Sequence, residues 1–181
     1  MYVWARLFRM MATAPRRGLY RFGEESRFAF RCLPSDIDAN MHLNNARYMM
    51  LADVGRIDIF LRTGLLRMAR QNGWAPMIGG LQAAYLREIR LWKRFEVVSS
   101  IETWEDRQAV SKHRFVLDDG RTAALVLTAV GVYDRRSRRF VAIDEVVAAL
   151  GQNVAPRPPS EEERAFMAAH ANLRTLAKSS D

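Results

Sequence analysis

Over residues 24–33, hydrophobic and polar positions alternate with period two. Phe28, Phe30 and Cys32 stand against Arg27, Ala29 and Arg31. Side chains of an extended chain point alternately to opposite faces, so this spacing predicts a strand with one buried face, which Pro34 ends. From about residue 45 to 67 the period becomes that of a helix. Tyr48, Leu51, Ala52, Gly55 and Ile59 form one apolar face, and Met49, Val54, Ile57, Phe60 and Leu61 widen it until it nearly encircles the helix. A helix apolar on most sides must be buried on most sides. Residues 73–80 read as a loop bounded by glycines. Five further strands are predicted over 81–89, 95–105, 109–117, 122–133 and 140–143. A turn at Arg107-Gln108 and a hairpin turn at Asp118-Asp119-Gly120 interrupt them. Residues 144–150 predict a short helix. Pro156, Pro158 and Pro159 form a linker, and Ser160 with Glu163 opens a last helix with a capping box.

The order is strand, buried helix, then antiparallel strands. It predicts an α+β domain whose sheet wraps around the one long helix. At 181 residues the chain fits a single domain, over 22–150, between an amphipathic basic segment at 1–21 and the proline linker and C-terminal helix at 151–181. Within the first segment Trp4, Leu7, Phe8 and Met11 fall at i, i+3, i+4 and i+7, an apolar helical stripe. The stripe is too short to span a bilayer, and arginines break any h-region of a secretory signal. Two readings compete. The helix packs on the domain or on a partner subunit, or it lies on a membrane surface backed by Arg16, Arg17 and Arg21. Packing is favoured, because four apolar side chains contribute only about 1.5–3 kcal/mol each at best.

Composition narrows the function classes. An apolar fraction of 49% supports a packed core. The single cysteine, Cys32, excludes an internal disulfide and fits a reducing, cytoplasmic compartment. His42, His113 and His170 show no metal-ligand spacing, so no metal site is predicted. The net charge of +8 invites a nucleic-acid reading. Of 28 basic residues only Lys93, Lys112 and Lys178 are lysine, leaving 25 scattered arginines. The cluster at residues 135–139 lies between two apolar strands and reads as a solvated hairpin tip. Without interleaved aromatics or a recognisable module, no nucleic-acid partner is predicted.

The chemistry concentrates in residues 36–48, Asp-Ile-Asp-Ala-Asn-Met-His-Leu-Asn-Asn-Ala-Arg-Tyr, just ahead of the helix. A carboxylate can act on an activated carbonyl as base or nucleophile. A helix N-terminus supplies N–H donors and positive potential for a developing oxyanion. The same residue types also cap helices and close turns. That simpler role is the better one for Asn44 and Asn45. Asp36 reads as structural and Asp53 as a partner for Arg56 at i, i+3.

The segment resembles the D-x-D-x-x-x-H-x-N-N-x-x-Y signature of hot-dog-fold thioesterases of the 4-hydroxybenzoyl-CoA thioesterase-like kind. The string from Leu33 to Asp38, His42 to Tyr48, then Ala52-Asp53, is most similar to the branch around thioesterase superfamily member six. The block Tyr85 to Leu91 is similar to the strand entering the family's second half. The resemblance implies a hot-dog fold and an acyl-thioesterase acting on a coenzyme A or acyl-carrier-protein thioester, with no cofactor. It implies Asp38 as general base or nucleophile with Asn40 and His42 as its polar partners, and Asn44, Asn45, Tyr48 and Asp53 in substrate-binding or supporting roles. It also implies a homodimer or higher homo-oligomer. Many relatives place glycine where this chain has Met41, a bulkier residue expected to narrow the loop or shift its backbone. The alternative function is a non-catalytic acyl-binding or scaffold protein of the same fold, held at a membrane surface through residues 1–21.

Overall fold

The computed structural model describes residues 3–179; the predicted end segments reach 1–2 and 180–181, which lie outside them. Strand β1, Ser26–Arg31, alternates buried and exposed positions as its period predicts. Helix α2, Asn45–Arg62, buries Tyr48, Leu51, Ala52, Val54, Gly55, Ile59 and Phe60, with Met49, Ile57 and Leu61 half-buried. It stops short of residue 67. The Thr63 hydroxyl donates to the Ile59 and Phe60 carbonyls, closing the last turn, and α3 begins at Leu65–Asn72.

The loop expected at 73–80 is instead the first half of strand β2, Trp74–Tyr85. Its glycines serve packing rather than a turn. Pairing shifts register between Ile78 and Gly80, and a Cβ on Gly80 would come within 2.5 Å of the His170 ring. The strand ends at Tyr85 rather than 89, because the N–H groups of Leu86 and Arg87 both turn to the Ala123 carbonyl. Then follow β3 (Arg94–Glu105), β4 (Gln108–Leu117), β5 (Thr122–Asp134), β6 (Arg139–Val141) and the short α4 (Ile143–Ala149). The sheet is antiparallel, in the order β1-β3-β4-β5-β2 with β6 on β5. It curls around α2, which packs mainly across β3: the hot-dog arrangement. The last helix, α5 (Glu161–Lys178), carries the Ser160–Glu163 capping box and seats Phe166 against Val110, Leu127 and Ala129.

Two apolar groups lie under α2. Tyr48, Leu51 and Val54 meet Phe30, Phe95, Val97 and Phe115, while Ile59 and Phe60 meet Tyr20, Trp104 and Val130. Below Gly55 lies a polar layer. His113 is held between Ser99 Oγ, 2.8 Å from Nδ1, and Ser111 Oγ, 3.0 Å from Nε2. A Cβ on Gly55 would stand 2.2 Å from Ser99 Oγ, so a side chain there would push α2 off the sheet. Burial, and then the nearby Arg56 charge, hold the His113 imidazole well below its ordinary 6.5. A histidine held neutral in the fold leaves stability unaffected at high pH. Between about pH 7 and 5 the unfolded chain takes up a proton more readily than the folded one, so His113 is expected to withdraw stability as the pH falls. Urea unfolding across that window checks this; a folded His113→Gln variant with an undiminished slope would contradict it.

Helix α1, Trp4–Thr13, packs on the domain, but not by the predicted stripe. Met10 and Val3 are buried and Leu7 half-buried, while Trp4, Phe8 and Met11 face outward. Arginines set that rotation. Arg6 pairs with Asp36, Arg17 with Asp58, and the Arg9 guanidinium lies 4.8 Å over the Phe28 ring.

Candidate active site

The polar segment is a loop pinned at its base by Asp36. This buried carboxylate accepts from the Leu33 N–H at 2.8 Å and from Arg6 Nη1 at 2.9 Å, with Arg47 Nε 3.8 Å away. One side chain thus ties α1, the loop and the first turn of α2, as a structural acid should. Beyond it Ile37 pairs with Leu43, and the chain makes a tight turn between them. The Asp38 N–H donates to the His42 carbonyl at 3.2 Å and the Met41 N–H to the Asp38 carbonyl at 3.0 Å. The Leu43 N–H donates to the Ile89 carbonyl at 2.8 Å, stitching the loop to the chain that follows β2. Met41 takes φ +62°, the left-handed region, and so holds a backbone that glycine would adopt freely. For a residue with a Cβ this costs about 1–2 kcal/mol.

The turn brings Asp38 and His42 together, Oδ1 to Nδ1 at 3.7 Å, both half-buried. Asn40 enters by its backbone: its N–H donates to Asp38 Oδ1 at 2.9 Å, and the residue is exposed. Asn44 is the N-cap of α2, its Oδ1 accepting from the Ala46 N–H at 2.9 Å. Asn45 is not a cap but the first helical residue, and its N–H has no acceptor among the described residues. His42, Asn45 and Tyr48 line a cleft of about 250 Å³, completed by Leu43, Tyr85, Leu86, Arg87 and Glu88. Tyr48 packs edge-on against Tyr85 and Phe115, with ring centres 5.0 and 4.8 Å away. Burial pushes its hydroxyl up to about 12, so it stays protonated at neutral pH.

Asp53 does not join this group. It lies further along α2 and pairs with Arg56, whose Nη1 donates to Thr128 Oγ1 at 3.3 Å. The cleft wall formed by Tyr85, Arg87 and Glu88 lies outside the predicted site residues, within the block from Tyr85 to Leu91. Arg87 and Glu88 also border a second depression, of about 480 Å³, with Arg90, Lys93, Arg94 and Arg121. Among the described residues no three His, Cys, Asp or Glu side chains group to hold a metal ion.

Asp38 and Asn40 do not line this cleft; Asp38 stands behind His42, which does, and a carboxylate beside an imidazole ahead of a helix N-terminus suits attack on an activated carbonyl. The family model of the thioesterase-like superfamily matches residues 32–150. Protein THEM6 of Xenopus laevis is 30% identical over 132 residues, 72% of this chain and 61% of its own length. The chain spans about half to three-fifths of the length of the curated relatives it matches. The fold is shared with the probable thioesterase YbaW of Escherichia coli, at a TM-score of 0.64 and 16% identity, over 70% of this chain and 96% of that one. It is shared also with protein SAV2348 of Staphylococcus aureus, solved in complex with CoA, at a TM-score of 0.62 and 17% identity, over 77% and 92%.

Proposed function

The chain belongs to the thioesterase-like superfamily, and from that premise we propose that it hydrolyses an acyl thioester of coenzyme A or an acyl carrier protein, with Asp38 as general base or nucleophile. The observation that carries the reading is the Asp38–His42 pair, 3.7 Å apart, whose His42 lies on the wall of the cleft before the α2 N-terminus. As base, the Asp38 carboxylate takes a proton from water while the water oxygen attacks the thioester carbonyl. As nucleophile, it attacks the carbonyl itself, and water then hydrolyses the mixed anhydride. In both routes the carbonyl oxygen becomes an oxyanion, for which the Asn45 N–H and the positive end of α2 are preorganised donors. Collapse breaks the C–S bond. The leaving thiolate needs little help, so His42 serves it as a secondary proton donor.

The depression beside the cleft carries Arg87, Arg90, Lys93, Arg94 and Arg121 against Glu88, Asp118 and Asp119. An excess of cations next to the reacting centre suits a thiol carrier that bears phosphates, as coenzyme A and phosphopantetheine both do. A hydrolysis screen over acyl-CoA chain lengths, read with a thiol-reactive dye, tests the reading. Thiol release supports it, and stoichiometric acyl-CoA binding without release would favour the acyl-binding alternative.

The working unit in this reading is at least a dimer. Among the described residues β2 pairs only with β5, and Met77, Ile78, Leu81 and Tyr85 on it are exposed. A long apolar edge strand invites pairing with another copy. Sedimentation is expected to give twice the 20.8 kDa chain mass or more. Leu81→Arg is expected to yield a folded monomer with at least about tenfold less hydrolysis. A wild-type monomer of full activity would contradict this.

A further inference from the structure

The outward face of α1 has no role in the cleft. Trp4, Phe8 and Met11 share that face at 55%, 63% and 45% exposure, and Leu19 beyond the helix is 84% exposed. The Trp4 and Phe8 rings lie 6.4 Å apart, centre to centre. Met11 and Leu19 border an apolar hollow of about 500 Å³ that Ala14, Pro15 and Leu61 also line. Contiguous exposed apolar side chains of this size mark an interaction surface. Their presentation is built in: Met10 beneath the helix, the Arg6–Asp36 and Arg17–Asp58 pairs and the Arg9–Phe28 contact hold the opposite face against the domain.

Charge selects the occupant. Residues 3–23 carry Arg6, Arg9, Arg16, Arg17 and Arg21 and no acid. Arg6 and Arg17 pair inward and Arg9 lies over the Phe28 ring, whereas Arg16 and Arg21 are exposed. We propose that this face, with Leu19, docks on an anionic lipid surface, independently of the hydrolytic reading. Lying in the membrane plane, the aromatic and aliphatic side chains reach the headgroup–acyl boundary, and the arginines meet lipid phosphates and carboxylates. A second copy of the chain fits poorly, since two acid-free cationic segments would be brought together. Four side chains also fall well short of the roughly 800 Å² per partner of a standard stable interface. The helix lies on the bilayer rather than through it: among the described residues no helix is long and apolar enough to cross one. Packing and lipid docking thus use opposite faces of one helix.

Flotation of the full chain with vesicles tests the proposal, using phosphatidylcholine alone and with added phosphatidylserine. The protein is expected to float with the anionic vesicles, less so at high salt, and not with the neutral ones. The double variant Phe8→Ser, Leu19→Ser is expected to lose about tenfold in bound fraction with unchanged circular dichroism and melting temperature. Arg16→Gln with Arg21→Gln is expected to weaken the salt-sensitive part. Absence of wild-type flotation would overturn the proposal, as would a double variant that floats like wild type. A double variant that instead changes the sedimentation coefficient would overturn it in favour of a protein interface.

Discussion

Asp38→Asn is expected to lower kcat for acyl-thioester hydrolysis by about 10²-fold or more, equivalent to about 2.7 kcal/mol of transition-state stabilisation. The amide keeps the shape of the side chain and its acceptor oxygen for the Asn40 N–H, a bond of 2.9 Å in the parent. It removes only the basic, nucleophilic oxygen. The turn, the Met41 backbone and the α2 cap depend on groups other than that charge, so the variant should fold. KM should change little, because the cleft walls remain. His42→Ala should cost less, since a thiolate leaves without a strong acid. Equal severity for the two variants would give His42 a primary chemical role, and wild-type turnover in folded Asp38→Asn would remove Asp38 from the reaction.

Leu51→Asp is expected to destabilise the domain by about 4 kcal/mol or more, a large share of the margin of a small domain. Leu51 is 0% exposed on α2 and packs within the group containing Phe95 and Phe115. A carboxylate there either stays charged without a partner or is forced to protonate; both oppose folding. Leu51→Met, which conserves volume, should cost less than about 1.5 kcal/mol. Urea midpoints and soluble yield read the difference. An unchanged melting temperature in Leu51→Asp would contradict the burial of α2.

Local periodicity made much of this fold legible. The alternation of Phe28 and Phe30 with Arg27, Ala29 and Arg31, and the all-round apolar surface of α2, each follow from one element meeting one packed surface. The Asp118-Asp119-Gly120 turn and the Ser160 cap are equally local. What was illegible depends on distant partners. Strand β2 is a sheet edge with little alternation in burial, so its first half carries no period-two signal, and its glycines answer to His170 on α5. The rotation of α1 is set by Asp36 and Asp58, far along the chain from Arg6 and Arg17. The loop of the candidate site could be read as a cluster, and His42, Asn45 and Tyr48 do line one cleft, with Asp38 joined to them through His42. Asp53 belonged to the same run of sequence, yet its position further along the helix directs it to Arg56 instead. The opposite wall, Tyr85 to Glu88, reaches the cleft only because the loop is stitched to Ile89 and Arg90.

Single-turnover thiol release from acyl-CoA, with protein in excess, is the most direct test of hydrolysis through Asp38. Wild-type protein should release one free thiol for each thioester bound. Asp38→Asn of matching circular dichroism should bind the same thioester and release thiol about 10²-fold more slowly. Equal release by the two proteins, or tight binding by wild type with no release at all, would contradict the account.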